Sequence, residues 1–338
     1  MFSFIPNEYF LLAFGFILLI KGGDWFVDAA TGIAKRFHLP ELLIGATVVS
    51  IGTTLPEVMT SVIGAASNNG SAAFGNSIGS IICNTSLIAA LTIAIKPGKA
   101  DRKTLIFPVC FFFGAAALFS TFSYVFESFE RWMGIVLLCG FVAYMVINVI
   151  NMKKNPTEQE SDEAECELPD GTETEATSFI KDIAVLIGAI AVIAIGADLA
   201  VSNIGYVALS LGVPPSVVNT TILALATSLP ELVTAITALA KGHGALSLGN
   251  IIGANIFNIV LVSGASITIN PFDVPVDATF LGMNASLLFT LPLAVVTMML
   301  LTIPPLFRGK LARWQGIVLL GIYGLYCVLL YAILPNFK

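Results

Sequence analysis

The sequence contains little charge. Asp, Glu, Lys and Arg make up 11% of its 338 residues, against roughly a quarter in soluble domains. Hydrophobic residues make up 57%, and the mean hydropathy is +0.91. This composition excludes an ordinary soluble enzyme and a disordered or fibrous chain. The sequence also has no basic stripe of the kind that binds nucleic acid, so we expect no nucleic-acid partner.

Cysteine is scarce and catalytic motifs are missing. Five cysteines, an odd number without C-x-x-C spacing, argue against a disulfide framework. The chain contains neither H-E-x-x-H nor G-x-S-x-G, so we expect no enzyme and no cofactor. The N-terminus lacks the features of a cleaved signal peptide, and the first apolar run is expected to remain as a helix.

Ten apolar runs divide the chain, each long enough to cross a bilayer. They lie at 8–34, 41–67, 71–95, 104–126, 131–152, 179–210, 215–240, 245–269, 278–303 and 312–334. Between the fifth and sixth runs, nine acidic residues fall between Glu158 and Glu175. Such a run of like charge predicts a solvated, disordered tether, with calcium sensing as the less favoured alternative.

Lys and Arg are distributed unevenly between the two sides of the predicted helices. If the N-terminus lies outside, thirteen fall in inner segments, and only Arg131 and Lys338 fall in outer ones. The inner residues are Lys35, Arg36, Lys96, Lys99, Arg102, Lys103, Lys153, Lys154, Lys181, Lys241, Arg308, Lys310 and Arg313. Because inner loops are enriched in Lys and Arg, we predict both termini outside and the acidic loop in the cytoplasm.

An internal repeat relates the two halves of the chain. GTTLPEVMTSVIGAAS, from Gly52, matches ATSLPELVTAITALAK, from Ala226, at an offset of 174 residues. Since each half holds five helices, an odd number, the second half must enter the membrane inverted. We predict a first five-helix repeat at 1–152, the acidic loop at 153–178 and a second, inverted repeat at 179–338. Inverted repeats are typical of secondary transporters.

Proline lies in the middle of the second helix of each repeat, at Pro56 and Pro230 of an L-P-E motif. Because proline cannot donate a backbone hydrogen bond, the carbonyls of Gly52 and Ala226 lose their partners. Freed carbonyls in hydrocarbon need another partner, and a cation can be that partner. We therefore predict that helices 2 and 7 are interrupted at the L-P-E motifs.

An acidic residue follows each of these prolines, at Glu57 and Glu231. A carboxylate in mid-bilayer costs about 2.5–3.5 kcal/mol, and neither segment offers a Lys or Arg to pair with it. Two facing carboxylates among hydroxyls and carbonyls form an oxygen site of charge −2, which suits Ca²⁺. The less favoured interpretation is a pair of protonated, buried glutamates.

The third helix of each repeat carries a polar stripe on one face. The stripe consists of Asn76, Ser80 and Asn84 in the first repeat and Asn250, Ala254 and Asn258 in the second. We interpret Asn84 and Asn258 as cation ligands. For Asn76 and Asn250, interhelical hydrogen bonding stays open as the alternative.

The motifs GTTLPE…GNSIGSIICN and ATSLPE…GNIIGANIFN resemble the paired signature repeats of the calcium/cation antiporter superfamily, closest to prokaryotic sodium/calcium exchangers. The resemblance covers essentially the whole chain apart from the acidic loop. It implies that Glu57 and Glu231 bind Ca²⁺ together with backbone oxygens of Thr53 and Thr227. It also implies Na⁺ ligands among Ser50, Thr54, Ser80, Ala224 (through its carbonyl), Thr227 and Ser228, with Asn84 and Asn258 completing the centre.

Three positions depart from this resemblance. Ala254 stands where relatives often carry a serine that matches Ser80, which predicts a weak or water-filled sodium subsite. Ile81 replaces the asparagine that the second repeat retains at Asn255. Asn258 occupies a position where potassium-dependent relatives carry aspartate, which favours potassium-independent exchange.

The predicted function is therefore exchange of Na⁺ for Ca²⁺ by alternating access, in the inner membrane of a prokaryote, with no protein partner evident. Proton/calcium exchange through the same carboxylates is the alternative, although the hydroxyls of Ser50, Thr54 and Ser228 favour sodium. A cation channel is less favoured. Outside the site, we expect Lys21 to pair with Asp24 or a neighbouring carboxylate.

Overall fold

The computed structural model describes residues 7–154, 175–210, 227–276, 279–280, 283–284 and 286–329. Over these ranges it is nearly all helical. The helices are α1 Asn7–Arg36, α2 Glu41–Ala66, α3 Gly70–Ile95, α4 Arg102–Phe126, α5 Arg131–Lys154, α6 Glu175–Ser210, α7 Leu229–Ala240, α8 Gly244–Ile269, α9 Ser286–Arg308 and α10 Arg313–Val328. The prediction of an all-α membrane protein with ten helices in two inverted repeats is confirmed.

Eight of these helices are long and apolar enough to cross a membrane. The other two are α10, with 16 residues, and α7, whose described part has 12. The predicted first half of helix 7, the acidic loop and the end of the tenth run lie at 215–226, 155–174 and 330–334, outside the described residues.

Short strands occupy two loops. Strand β1 (Ser128–Phe129) pairs antiparallel with β2 (Phe272–Asp273), and β3 (Thr279–Phe280) pairs with β4 (Met283–Asn284). Because β3 and β4 take up the start of the ninth apolar run, α9 begins eight residues later than the run, which was placed at 278–303.

The predicted interruption of helix 2 at its L-P-E motif is wrong. The α-helical part of α2 runs from Ser50 to Ala66 with Pro56 inside it, since one lost hydrogen bond does not end a helix whose neighbours support it. The irregularity lies earlier, in a π-helical turn at Gly45–Val49, where the Tyr144 hydroxyl donates to the Ala46 carbonyl at 3.1 Å. Helix α7 does begin at its motif, directly after a turn at Ser228.

Loops predicted to share a side of the membrane meet in the structure. The loop after α3 pairs with the loop after α9, where the Leu311 amide donates to the Gly98 carbonyl at 2.9 Å. At the opposite end, β1 and β2 join the loops after α4 and α8, and the Asn270 amide donates to the Ala65 carbonyl at 2.8 Å. These contacts agree with the predicted alternation of the helices.

The two repeats interlock through glycines. A Cβ added to Gly134 of α5 would lie 2.6 Å from the Thr268 nitrogen of α8, and one added to Gly316 of α10 would lie 2.7 Å from the Ala94 nitrogen of α3. The two contacts correspond under the sequence repeat, because Gly134 and Gly316 share an R-W-x-G motif and Thr268 lies 174 residues after Ala94. The fifth helix of each repeat therefore packs against the third helix of the other.

Helices α1 and α6 form a close pair, which we call the α1–α6 pair. Their backbones touch at Gly15 and Gly196, where a Cβ added to either residue would lie 2.9 Å from the other's carbonyl oxygen. At one end the Tyr9 hydroxyl lies 3.2 Å from Ser210 Oγ. At the other end, Arg36 and Asp182 form a salt bridge of 3.2 Å.

Candidate cation site

Glu57 of α2 and Glu231 of α7 lie at matched positions in the interior, and both are 0% exposed. Thr54, one turn before Glu57, directs its hydroxyl towards Glu231, with Oγ1 and Oε1 3.5 Å apart. The two L-P-E segments therefore lie close to each other in the interior, as the sequence predicts for a shared site.

Buried polar atoms without partners concentrate around these carboxylates. Among the described residues, both Glu57 carboxylate oxygens, Glu231 Oε2 and Ser228 Oγ have no hydrogen-bond partner. Neither do the amide oxygen and nitrogen of Asn84 and of Asn258. Since an unsatisfied buried polar group costs about 1–3 kcal/mol, and a charged group more, such a concentration marks a place where a ligand belongs.

Asn76 and Asn250 lie at matched positions, and each forms a hydrogen bond with a threonine of the other repeat. Thr227 Oγ1 donates to Asn76 Oδ1 at 3.2 Å, and Thr53 Oγ1 donates to Asn250 Oδ1 at 3.1 Å. Asn76 Nδ2 also donates to the Glu57 carbonyl oxygen at 3.2 Å. Of the two alternatives for this asparagine pair, the structure shows interhelical hydrogen bonding.

Ser50 is also engaged in packing. Its hydroxyl lies 2.7 Å from the Gly45 carbonyl oxygen and 2.9 Å from the Asn250 carbonyl oxygen, so it joins α2 to α8. Gly253 lies against it, and a Cβ there would overlap Ser50 Oγ. Ser80 is buried in α3, Thr227 is half-buried, and Ala224 lies outside the described residues.

Two π-helical turns that no sequence pattern predicts flank the site. They cover Asn84–Ala89 in α3 and Asn258–Ser263 in α8. Each begins at an asparagine whose amide has no partner. π-Helical turns recur at functional sites because they reorient side chains and backbone carbonyls. Their matched placement in both repeats links the irregularity to the site.

Asn255 is a further polar residue beside the centre. Its Nδ2 donates to Thr85 Oγ1 at 2.8 Å, and its Oδ1 has no partner. The repeat maps Asn255 onto Ile81 and Thr85 onto Ile259. The hydrogen bond between Asn255 and Thr85 therefore has no equivalent in the other half of the centre, where both matched residues are isoleucines.

A cavity of about 430 Å³ lies next to the L-P-E segments. Both prolines, Pro56 and Pro230, line it, together with Thr53 and Thr227. The opposite wall comes from α6, including Ile190 and Asp198. The site is thus bordered by open space between the α1–α6 pair and the helices that carry the glutamates.

The donor set is two carboxylates with neutral amide and hydroxyl oxygens. No group of three or more His, Cys, Asp or Glu side chains suited to a metal ion occurs in the part of the chain that the structure describes. Oxygen donors of this kind match hard cations.

An inverted ten-helix repeat with acidic residues at matched interior positions defines a cation antiporter of the membrane. The family described as sodium/calcium exchanger protein matches residues 7–150 and 181–332, and the chain belongs to this family. The resemblance noted in the motifs is therefore confirmed.

Individual relatives agree with this assignment. The chain is 31% identical to the sodium/calcium exchanger MaX1 of Methanosarcina acetivorans, over 97% of this chain and 100% of that protein. It is 32% identical to the uncharacterized membrane protein MJ0091 of Methanocaldococcus jannaschii, over 93% and 94% of the two chains. A solved structure of the sodium-calcium exchanger NCX_Mj, soaked with Na⁺ and Sr²⁺, matches with a TM-score of 0.76 and 29% identity, over 95% of this chain and 98% of that one.

Proposed function

We propose that the protein exchanges Na⁺ for Ca²⁺ by alternating access, with both ions competing for one centre between Glu57 and Glu231. The observation that carries the proposal is the set of buried, unpartnered carboxylate and amide atoms around these two residues. Neither carboxylate has a basic partner among the described residues, and two such buried charges are too costly to leave uncompensated, so cations or protons must neutralise them.

Charge balance explains why the ions compete. One Ca²⁺ or two Na⁺ neutralise the two carboxylates, whereas the empty centre carries charge −2 into a region of low dielectric. An unloaded transporter therefore reorients poorly, which couples the two fluxes. Besides the glutamates, the ligands that we propose are backbone oxygens of Thr53 and Thr227, the amides of Asn84 and Asn258, and oxygens of Ser50, Thr54, Ser80, Ala224 and Ser228.

The hydrogen bonds of Ser50 make it the weakest of the proposed hydroxyl ligands. Because its hydroxyl already contacts two carbonyls, we expect Ser50 to contribute less than Thr54 or Ser80. Protons remain the alternative coupling ion, because a carboxylate takes up a proton as readily as it takes up a metal ion. Hydroxyl oxygens such as those of Thr54 and Ser228 are ligands for Na⁺ that protons do not need.

The test is calcium uptake into proteoliposomes with sodium, potassium and proton gradients imposed separately. We expect uptake with an outward sodium gradient alone, and its loss in Glu57→Gln and in Glu231→Gln. Glu130→Gln, an exposed acid outside the site, is the matched control and should transport like the wild type. Substantial uptake in either site variant would refute the proposal, and uptake driven only by a pH gradient would assign the proton as the coupling ion.

We also propose that the N-terminus lies outside and the acidic loop inside, since thirteen Lys and Arg lie on the other side from Arg131 and Lys338. A single cysteine at Asn68, in a background without the native cysteines, should then react with an impermeant thiol reagent added to intact cells. Labelling at Lys99 instead would reverse the orientation.

A further inference from the structure

Lys241, at the end of α7, forms ion pairs with α1. Its Nζ lies 2.7 Å from Asp28 Oδ1 and 3.5 Å from Asp24 Oδ1, and it donates to the Asp24 carbonyl oxygen at 3.1 Å. The expected pairing of Lys21 with Asp24 is not what the structure shows. Asp24 pairs instead with a lysine 217 residues away in sequence.

This cluster connects α1 to the end of α7, beside a direct packing contact between Gly23 of α1 and Val233 of α7. The α1–α6 pair is held together by backbone contacts at Gly15 and Gly196 and by the bridge between Arg36 and Asp182. Lys241 directly follows α7, the helix that carries Glu231. Its ion pairs therefore tie the α1–α6 pair to a helix of the cation centre.

The ion pairs of Lys241 have no equivalent at the matched positions of the other repeat. An offset of 174 residues maps Lys241 onto Ser67, Asp28 onto Ser202 and Asp24 onto Asp198. Of these three counterparts, Asp198 is the only one that carries charge. The cavity of about 430 Å³ extends towards that opposite end, where Asp198 and Met59 line it. Charged side chains therefore join α1 to the end of α7 at one end of the α1–α6 pair, and the matched end of the pair borders the cavity.

The ion pairs of Lys241 are weak enough to open and re-form in each transport cycle. The three side chains are 28%, 37% and 65% exposed for Lys241, Asp24 and Asp28. Exposed ion pairs change an equilibrium constant by at most about fivefold. Such a tie can shift the balance between two conformations without trapping either.

We propose that Lys241, Asp24 and Asp28 form an ionic latch that holds the cytoplasmic end of the α1–α6 pair closed and so favours the outward-facing state. The proposal rests on the function and orientation proposed above. Breaking the latch moves population towards the inward-facing state. Because apparent affinity scales with the binding-competent fraction, the two sides must change in opposite directions.

Lys241→Gln tests the latch in right-side-out and inverted vesicles. We expect the apparent calcium affinity to fall on the outer side and to rise on the inner side, and the product of the two fold-changes should be at most about fivefold. Lys103→Gln, an exposed lysine of the same face, should change neither. Lys241→Asp combined with Asp28→Lys and Asp24→Asn, which removes the repulsion between residues 241 and 24, should move both affinities back towards the wild-type values. An equal change on both sides, or no change, would overturn the latch.

A distance measurement separates failure of the latch from failure of the proposed function. Spin labels at Lys35→Cys in α1 and Lys310→Cys in the loop after α9, in a background without native cysteines, report the opening of the cytoplasmic end by pulsed electron resonance. We expect Lys241→Gln to add a longer distance and the charge-swapped protein to remove it. An unchanged distribution in Lys241→Gln would refute the latch whether or not the protein exchanges Na⁺ for Ca²⁺.

Discussion

At the scale of single residues, the informative comparison is between matched positions of the two repeats. Ser80 in α3 and Ala254 in α8 are both buried, and they differ by one hydroxyl. Each lies one turn before an asparagine of the centre, Asn84 or Asn258. If Ser80 provides a sodium ligand, its counterpart lacks one oxygen, and the two halves of the centre bind Na⁺ unequally.

Ala254→Ser should therefore raise the apparent affinity for Na⁺. A ligand worth about 1 kcal/mol corresponds to about a fivefold change. The measurement is the sodium dependence of calcium efflux from loaded proteoliposomes. Ala245→Ser, nearer the start of the same helix, is the control. A sodium dependence identical to that of the wild type would contradict an oxygen-deficient subsite.

The sequence predicts the buried positions of Glu57 and Glu231 well and the contacts around them poorly. Glu57 and Glu231 stand out because an acid beside proline in an apolar run occurs twice at one offset. The hydrogen bond between Asn255 and Thr85 could not be predicted, since its counterpart is a pair of isoleucines and the repeat gives no signal. The ion pairs of Lys241 depend on how distant helices pack, which local patterns do not encode.

At the scale of elements, close contact between α2 and α8 holds the two repeats around the centre. A Cβ added to Gly249 would overlap the Leu42 carbonyl, and one added to Gly45 would overlap the Leu246 carbonyl. These glycines are required because the two backbones touch, as in other small-residue contacts between membrane helices. The contact also aligns Asn250 with Thr53.

Gly249→Ala should lower stability by about 1–3 kcal/mol, because a methyl group must displace backbone atoms. Thermal unfolding of the purified protein in detergent is the measurement. Gly321→Ala is the matched control, since a Cβ at Gly321 meets nothing within 4 Å. Equal melting temperatures for the two variants would show that the α2–α8 contact tolerates separation.

Hydropathy predicts the helices closely wherever the chain is regular. Eight of the ten apolar runs begin within four residues of the start of their helices. The ninth differs because β3 and β4 occupy apolar sequence, and hydropathy does not distinguish a strand from a helix there. The continuous helix through Pro56 and the π-helical turns were missed because both depend on tertiary support.

At the scale of the whole molecule, helices of each half pack against helices of the other half. Gly134 of α5 packs on α8, Gly316 of α10 packs on α3, and the α1–α6 pair contains one helix from each half. Strands β1 and β2 add a link between the halves at one face. Several hydrogen bonds at the centre also cross from one repeat to the other.

Covalent continuity between the halves should consequently be dispensable. Two polypeptides, 1–158 and 172–338, expressed together should assemble in the membrane and restore sodium-driven calcium uptake, whereas either fragment alone should give none. Co-purification through a tag on one fragment would report assembly independently of transport. If both fragments reach the membrane yet never associate, the packing between the two halves requires a covalent link. Assembly from separate fragments would then be excluded.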